Sequence, residues 1–114
     1  MVFTSVPEFD SELDKLHKKY RSLKDDLEVL KSVLLKYPTG YEPITFQITG
    51  LGIDTPVYKI KNFRCKAFNR GSRSGIRVIY GYLEAKQEIK FVEIYYKERD
   101  SADCNKERVR KYFT

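Results

Sequence analysis

Leu23, Leu27, Leu30 and Leu34 fall at helical spacing within SLKDDLEVLKSVLLKYP, residues 22–38. Four leucines along one helical face have to be covered, so the rest of the chain must present an apolar surface to them. Val33 and Tyr37 widen the stripe. Ser22 is placed to cap the helix, Asp25 and Asp26 stand near its positive end, and Pro38 stops it. A second helical stretch comes before it, opened by Pro7, whose missing N–H does no harm in a first turn. Leu13, Leu16 and Tyr20 give that stretch one narrow apolar line. Two helices joined near Tyr20–Ser22 predict an αα-hairpin.

The covering surface is found in the second half. VYKIKNFRC (57–65) alternates, IRVIYGYL (76–83) is more apolar, and IKFVEIYY (89–96) alternates again, so each predicts a strand. A link from Lys66 to Gly75 joins the first two, and Glu84 to Glu88 form a short hairpin loop. VFTSV (2–6) and ITFQI (44–48) are two weaker strand candidates. NKERVRKYF (105–113) predicts a short terminal helix begun by Asp103 or Asn105. Helices grouped ahead of strands predict one α+β domain over residues 1–114: an N-terminal helical hairpin on an antiparallel sheet of three to four strands, with a short C-terminal helix.

Alternation also sorts the charges. Lys59 and Lys61 share one face of their strand, opposite Tyr58 and Ile60. Arg77 shares a face with Ile79 and Gly81, opposite Ile76, Val78 and Tyr80. With the Ile76 side turned to the helices, Arg77 points with Lys59 and Lys61 to an open face.

The net charge of +6 is unevenly spread: residues 1–56 carry net −2 and residues 57–114 net +8. Between Asp54 and Glu84 there is no carboxylate, while Lys59, Lys61, Arg64, Lys66, Arg70, Arg73 and Arg77 all fall in that window. A one-signed stretch of this kind predicts a polyanionic partner, either nucleic acid or an acidic segment of another protein. At 41% hydrophobic residues the composition excludes disorder, and no apolar run is long enough to span a bilayer. The start, MVFTSVPEFD, lacks the pattern of an export signal, so a cytoplasmic location and two reduced thiols, Cys65 and Cys104, are expected. His17, beside Lys18 and Lys19, reads as a solvated helix residue, and no metal or other cofactor is expected.

In order and spacing, YKIKNFRCKAF, GSRSGIRVIYGYLE and EIKFVEIYYKERD, behind a leucine-rich helical hairpin, resemble the RelE/ParE superfamily of toxins. The RelE and HigB-like branches are the most similar, over residues 2–113. The resemblance implies a RelE-like fold and the toxin of a type II toxin–antitoxin system. Such a toxin is a ribosome-dependent endoribonuclease (an mRNA interferase) that cuts translated mRNA and so inhibits translation. It also implies an acidic cognate antitoxin, with the free toxin a monomer and the neutralised one a hetero-oligomer. On the family pattern, Lys59 and Lys61 of Y-K-I-K and Arg77 of G-x-R serve catalysis and RNA binding, and Lys97 and Arg99 stand in the basic region after the last strand. The family pattern has a tyrosine shortly after that region; here the stretch ERDSADCNK has no aromatic residue.

Metal-free RNA cleavage requires proton transfer at the 2′-hydroxyl and the 5′-oxygen, and neutralisation of a pentavalent phosphorane. Like charges crowded around a lysine disfavour its charged form, which lets such a side chain exchange a proton near neutral pH. Lys59 or Lys61 is the candidate for proton transfer and Arg77 for transition-state charge, since a planar guanidinium suits phosphate oxygens. Arg64, Lys66, Arg70 and Arg73 are the candidate RNA-backbone contacts, together with Lys97 and Arg99. Two other readings remain: a ParE-like gyrase inhibitor without chemistry, and a catalytically silent member that binds RNA or antitoxin.

Overall fold

The computed structural model describes residues 1–40, 45–61, 75–97 and 104–114. Strand β1 (Val2–Ser5) leads into helices α1 (Pro7–Lys19) and α2 (Leu23–Lys36). Strands β2 (Thr45–Ile48), β3 (Val57–Ile60), β4 (Ile76–Leu83) and β5 (Glu88–Tyr96) follow, and α3 (Lys106–Phe113) ends the chain. A 3-10 turn over Glu84–Lys86 joins β4 to β5.

The α+β class holds, with a larger sheet than expected. Among the described residues it has five strands in the order β1-β5-β4-β3-β2, and it is mixed, because β1 lies parallel to β5. The two additions, β1 and β2, are the edge strands and only four residues long. Edge strands are commonly kept this short, too short for alternation to declare their pairing.

The leucine stripe of α2 is buried as its spacing requires: Leu23, Leu27, Leu30 and Leu34 are each at most 8% exposed. Each such side chain contributes about 1.5–3 kcal/mol of transfer free energy. They pack with Phe9 of α1 on one sheet face, against Tyr58, Ile60, Ile76, Val78 and Tyr80. Tyr37 is exposed instead of widening the stripe, because α2 stops at Lys36. Ser22 begins α2, but its hydroxyl donates to the Asp26 carboxylate (2.7 Å) and caps no backbone N–H.

The opposite sheet face carries a second cluster, in which Val57, Ile79 and Val92 meet Val109 and Phe113 of α3. The Phe113 ring lies where a Cβ on Gly81 would stand, 2.3 Å from that position, so only glycine lets α3 sit this close to β4. Asn105 caps α3, its side chain accepting from the Arg108 amide (3.1 Å).

β5 holds a bulge. Ile79 pairs with Glu93 and Tyr80 with Phe91, so Val92 is the extra residue. Before it, Ile89 and Phe91 face the helices; after it, Ile94 does so. The three-residue step from Phe91 to Ile94 reverses the phase of the strand and carries Glu93 and Tyr95 to the Arg77 side.

β1 pairs with β5 only as far as Phe91. Beyond that point α1 and α3 close over the side of β5. Glu12 Oε1 accepts from Arg108 Nη1 (2.8 Å) and from the Ile94 amide (3.3 Å), while Arg108 Nη1 also donates to the Val92 carbonyl (3.1 Å). One turn away, the Tyr112 hydroxyl donates to Glu8 Oε1 (2.5 Å), with Lys111 3.6 Å from the same carboxylate. The Tyr112 hydrogen bond, helped by the Lys111 and Arg108 charges, holds the Glu8 carboxyl below the usual range. A lowered carboxyl pKa adds stability above the unfolded value, about 4.3 for glutamate, which is lost as pH falls through the folded value. Urea denaturation of wild type and Glu8→Gln across pH is therefore expected to show a stability gap near neutrality that closes in acid. A gap independent of pH would remove the Glu8 charge from the anchoring of α3.

Candidate functional site

Lys59, Lys61 and Arg77 do lie on one side of the sheet, away from the helical hairpin. On the helix side, Tyr58 and Ile60 of β3 and Ile76 and Val78 of β4 are taken up by the core. The intervening residues therefore face the other way. That face is less open than expected, because α3 and the Leu51 segment cover part of it. Lys59 is only 8% exposed, whereas Lys61 and Arg77 are half-buried.

Arg77 is fixed by the backbone around it. Its Nη1 donates to the Lys61 carbonyl (2.9 Å) and to the Ile76 carbonyl (3.3 Å), which ties the end of β3 to the start of β4. Arg77 Nε is buried and, among the described residues, has no hydrogen-bond partner. Lys61 stands with its Nζ 4.6 Å from the centre of the Phe46 ring, a cation–π contact. Phe46 is also the cross-strand partner of Lys59, so β2 supplies an aromatic wall to the two lysines.

Gly75 begins the far end of the site with φ +82°, a left-handed conformation suited to glycine, and its carbonyl accepts from the Lys97 amide (2.9 Å). Lys97 is thereby held level with the start of β4 and, by alternation from Glu93 and Tyr95, on the Arg77 side. Arg64, Lys66, Arg70, Arg73 and Arg99 lie outside the described residues, as does most of the Gly/Ser/Arg turn before Gly75.

No protein-family model and no curated protein matches this chain.

The bulge brings two further residues to the basic face, Glu93 and Tyr95. Tyr95 pairs directly with Arg77 and is half-buried beside it. Glu93 pairs with Ile79, which in turn pairs with Lys59, so Lys59, Ile79 and Glu93 form one row across β3, β4 and β5. Glu93 is 9% exposed, and its Oε1 accepts from the Asn105 amide (2.8 Å) at the start of α3. Cys104, also buried, joins the apolar cluster next to it. Among the described residues no group of three or more His, Cys, Asp or Glu stands close enough to hold a metal ion, and no helix is long and apolar enough to cross a membrane.

A straight alternation through IKFVEIYY puts Glu93 with Phe91, and so misses it as a site residue. The sequence signal for the correct phase is the apolar spacing Ile89, Phe91, Ile94, which steps by two and then by three. Phe46 carries no such signal, because its place beside the lysines depends on β2 joining the sheet.

Proposed function

We propose that this chain is a RelE-like toxin that cleaves translated mRNA on the ribosome. The observation that carries this is the grouping of Lys59, Lys61 and Arg77 on one sheet face, with Arg77 anchored to the Lys61 carbonyl at 2.9 Å. Further support comes from the order of elements, with a helical hairpin between β1 and β2 and a meander β2-β3-β4-β5. In this role the Nη1 of Arg77 is committed to the protein and its Nε is buried, which leaves Nη2 to meet a non-bridging phosphate oxygen. As the 2′-oxygen attacks phosphorus, charge grows on those oxygens and the fixed guanidinium stabilises it without reorganising. Lys61, half-buried beside Phe46, guides the RNA backbone, and Lys59 and Lys61 are the proton-transfer candidates. An acidic antitoxin segment would neutralise the same face in the cytoplasm.

Induction of the gene in a bacterial host tests this, with translation, mRNA 5′ ends and DNA supercoiling followed together. Ribosome-dependent cuts that vanish in Lys61→Ala are the expected result. Growth arrest with intact mRNA and gyrase-dependent DNA breaks would replace it by gyrase inhibition. Absence of any arrest would leave a binding protein without chemistry.

A further inference from the structure

We propose that Glu93 is a positioning residue of this site, the counter-charge that holds the Lys59 ammonium ready to protonate the leaving 5′-oxygen. The proposal rests on the endoribonuclease reading and adds to it a carboxylate from outside the basic window.

Three observations lead here. The bulge at Val92 is what turns Glu93 onto the basic face; in regular alternation its carboxylate would enter the leucine-lined core. Glu93 and Lys59 are opposite charges, 9% and 8% exposed, at the two ends of one row with Ile79 between them. Two strand spacings separate their backbones by about 9.5 Å, a gap that a lysine and a glutamate side chain together close. The carboxylate is also held in place, since the Asn105 amide donates to its Oε1 at 2.8 Å.

Physical chemistry supplies the reason for the pairing. Charges this deeply buried persist when an opposite charge compensates them. Lys59 shares its face with the cations Lys61 and Arg77, and Glu93 is the carboxylate at the other end of its row. A lysine held in this way is a proton donor. In the step, the 2′-oxygen bonds to phosphorus and the bond from phosphorus to the 5′-oxygen breaks. The Lys59 ammonium gives a proton to that oxygen, and the 2′-hydroxyl proton passes to water. The products are a cyclic 2′,3′-phosphate and a 5′-hydroxyl, and the amine regains its proton from solvent.

The test compares two programmed mRNAs on ribosomes, one natural and one with sulfur in place of the bridging 5′-oxygen at the cut. Sulfur leaves without a proton, so loss of a proton donor matters only for the oxygen substrate. Lys59→Met and Glu93→Gln are each expected to cut the oxygen substrate at least about tenfold more slowly, and to recover most of the wild-type rate on sulfur. A smaller folded fraction lowers both rates equally and leaves their ratio unchanged. Glu93→Asp, which keeps the charge, is expected to regain part of the oxygen rate, and it carries the test should Glu93→Gln not fold. Equal losses on both substrates, no loss on either, or no difference between Asp and Gln overturns the role of Glu93. A wild-type protein that cuts neither mRNA overturns the endoribonuclease reading itself, and the role of Glu93 with it.

Discussion

Under the proposed endoribonuclease reading, Arg77→Ala is expected to lower ribosome-dependent mRNA cleavage by about 10²–10³-fold, the cost of removing one preorganised donor from a developing oxyanion. The substitution should act on chemistry far more than on folding. Its Nη1 bonds to the Lys61 and Ile76 carbonyls are two partly buried contacts at one end of the sheet. Each such bond contributes about 1 kcal/mol net, so the thermal midpoint should fall by about 8–10 °C and leave the protein folded under assay conditions. Arg77→Lys should rescue little. An ammonium can replace the bond to the Lys61 carbonyl or the contact to phosphate, but it lacks the planar fork that does both at once. Single-turnover cleavage of a programmed mRNA, beside a melting curve, separates the two effects. A rate within about tenfold of wild type, with the protein folded, would take Arg77 out of the transition state.

Deletion of Val92 should remove the bulge without turning β5 over. With the extra residue gone, Glu93 follows Phe91 directly, so regular alternation keeps Phe91 and Ile94 on the helix side and Glu93 and Tyr95 on the Arg77 side. What the deletion removes is a fully buried side chain of the second cluster and the carbonyl that accepts from Arg108 Nη1. The lost apolar volume costs about 1–3 kcal/mol and the lost acceptor about 1 kcal/mol more. Against a total stability of about 5–15 kcal/mol for a domain, the chain should stay folded, with the Asn105 amide still donating to Glu93. Val92→Ala keeps the bulge and should lose only the apolar volume, about 1–3 kcal/mol. Urea denaturation of the two variants measures the difference. If the deletion unfolds the chain while the alanine does not, the bulge itself is needed to hold the two halves of β5 in register.

The helical hairpin is legible because its leucines obey one period for three turns and then meet Pro38. Alternation likewise suffices to put Lys59, Lys61 and Arg77 on the side away from the helices, since β3 and β4 run without irregularity. Legibility ends where a strand changes phase or a short edge joins. Glu93 is hidden by the bulge, and Phe46 by an edge strand of four residues whose pairing depends on contacts distant in sequence. The crowding of cations around Lys59 is readable from the carboxylate-free window, but the carboxylate opposite them comes from another strand. The depth of Lys59 was equally out of reach, because nothing local in Y-K-I-K reports that α3 returns to the same face.

The clasp between α1 and α3 has a consequence for when the basic face comes into being. Glu12 and Arg108 are 96 residues apart in the chain, and Glu8 and Tyr112 are 104 apart. Contacts this distant carry the largest loop-closure entropy and form late in folding. During synthesis they cannot form until the last helix has emerged from the ribosomal tunnel. The Asn105 amide that fixes Glu93 belongs to that same last segment. A nascent chain can thus assemble β3, β4 and their cations early, yet it lacks the buttressed face until α3 has left the tunnel. The order of synthesis keeps the cationic face incomplete until residues 104–114 can fold back onto it.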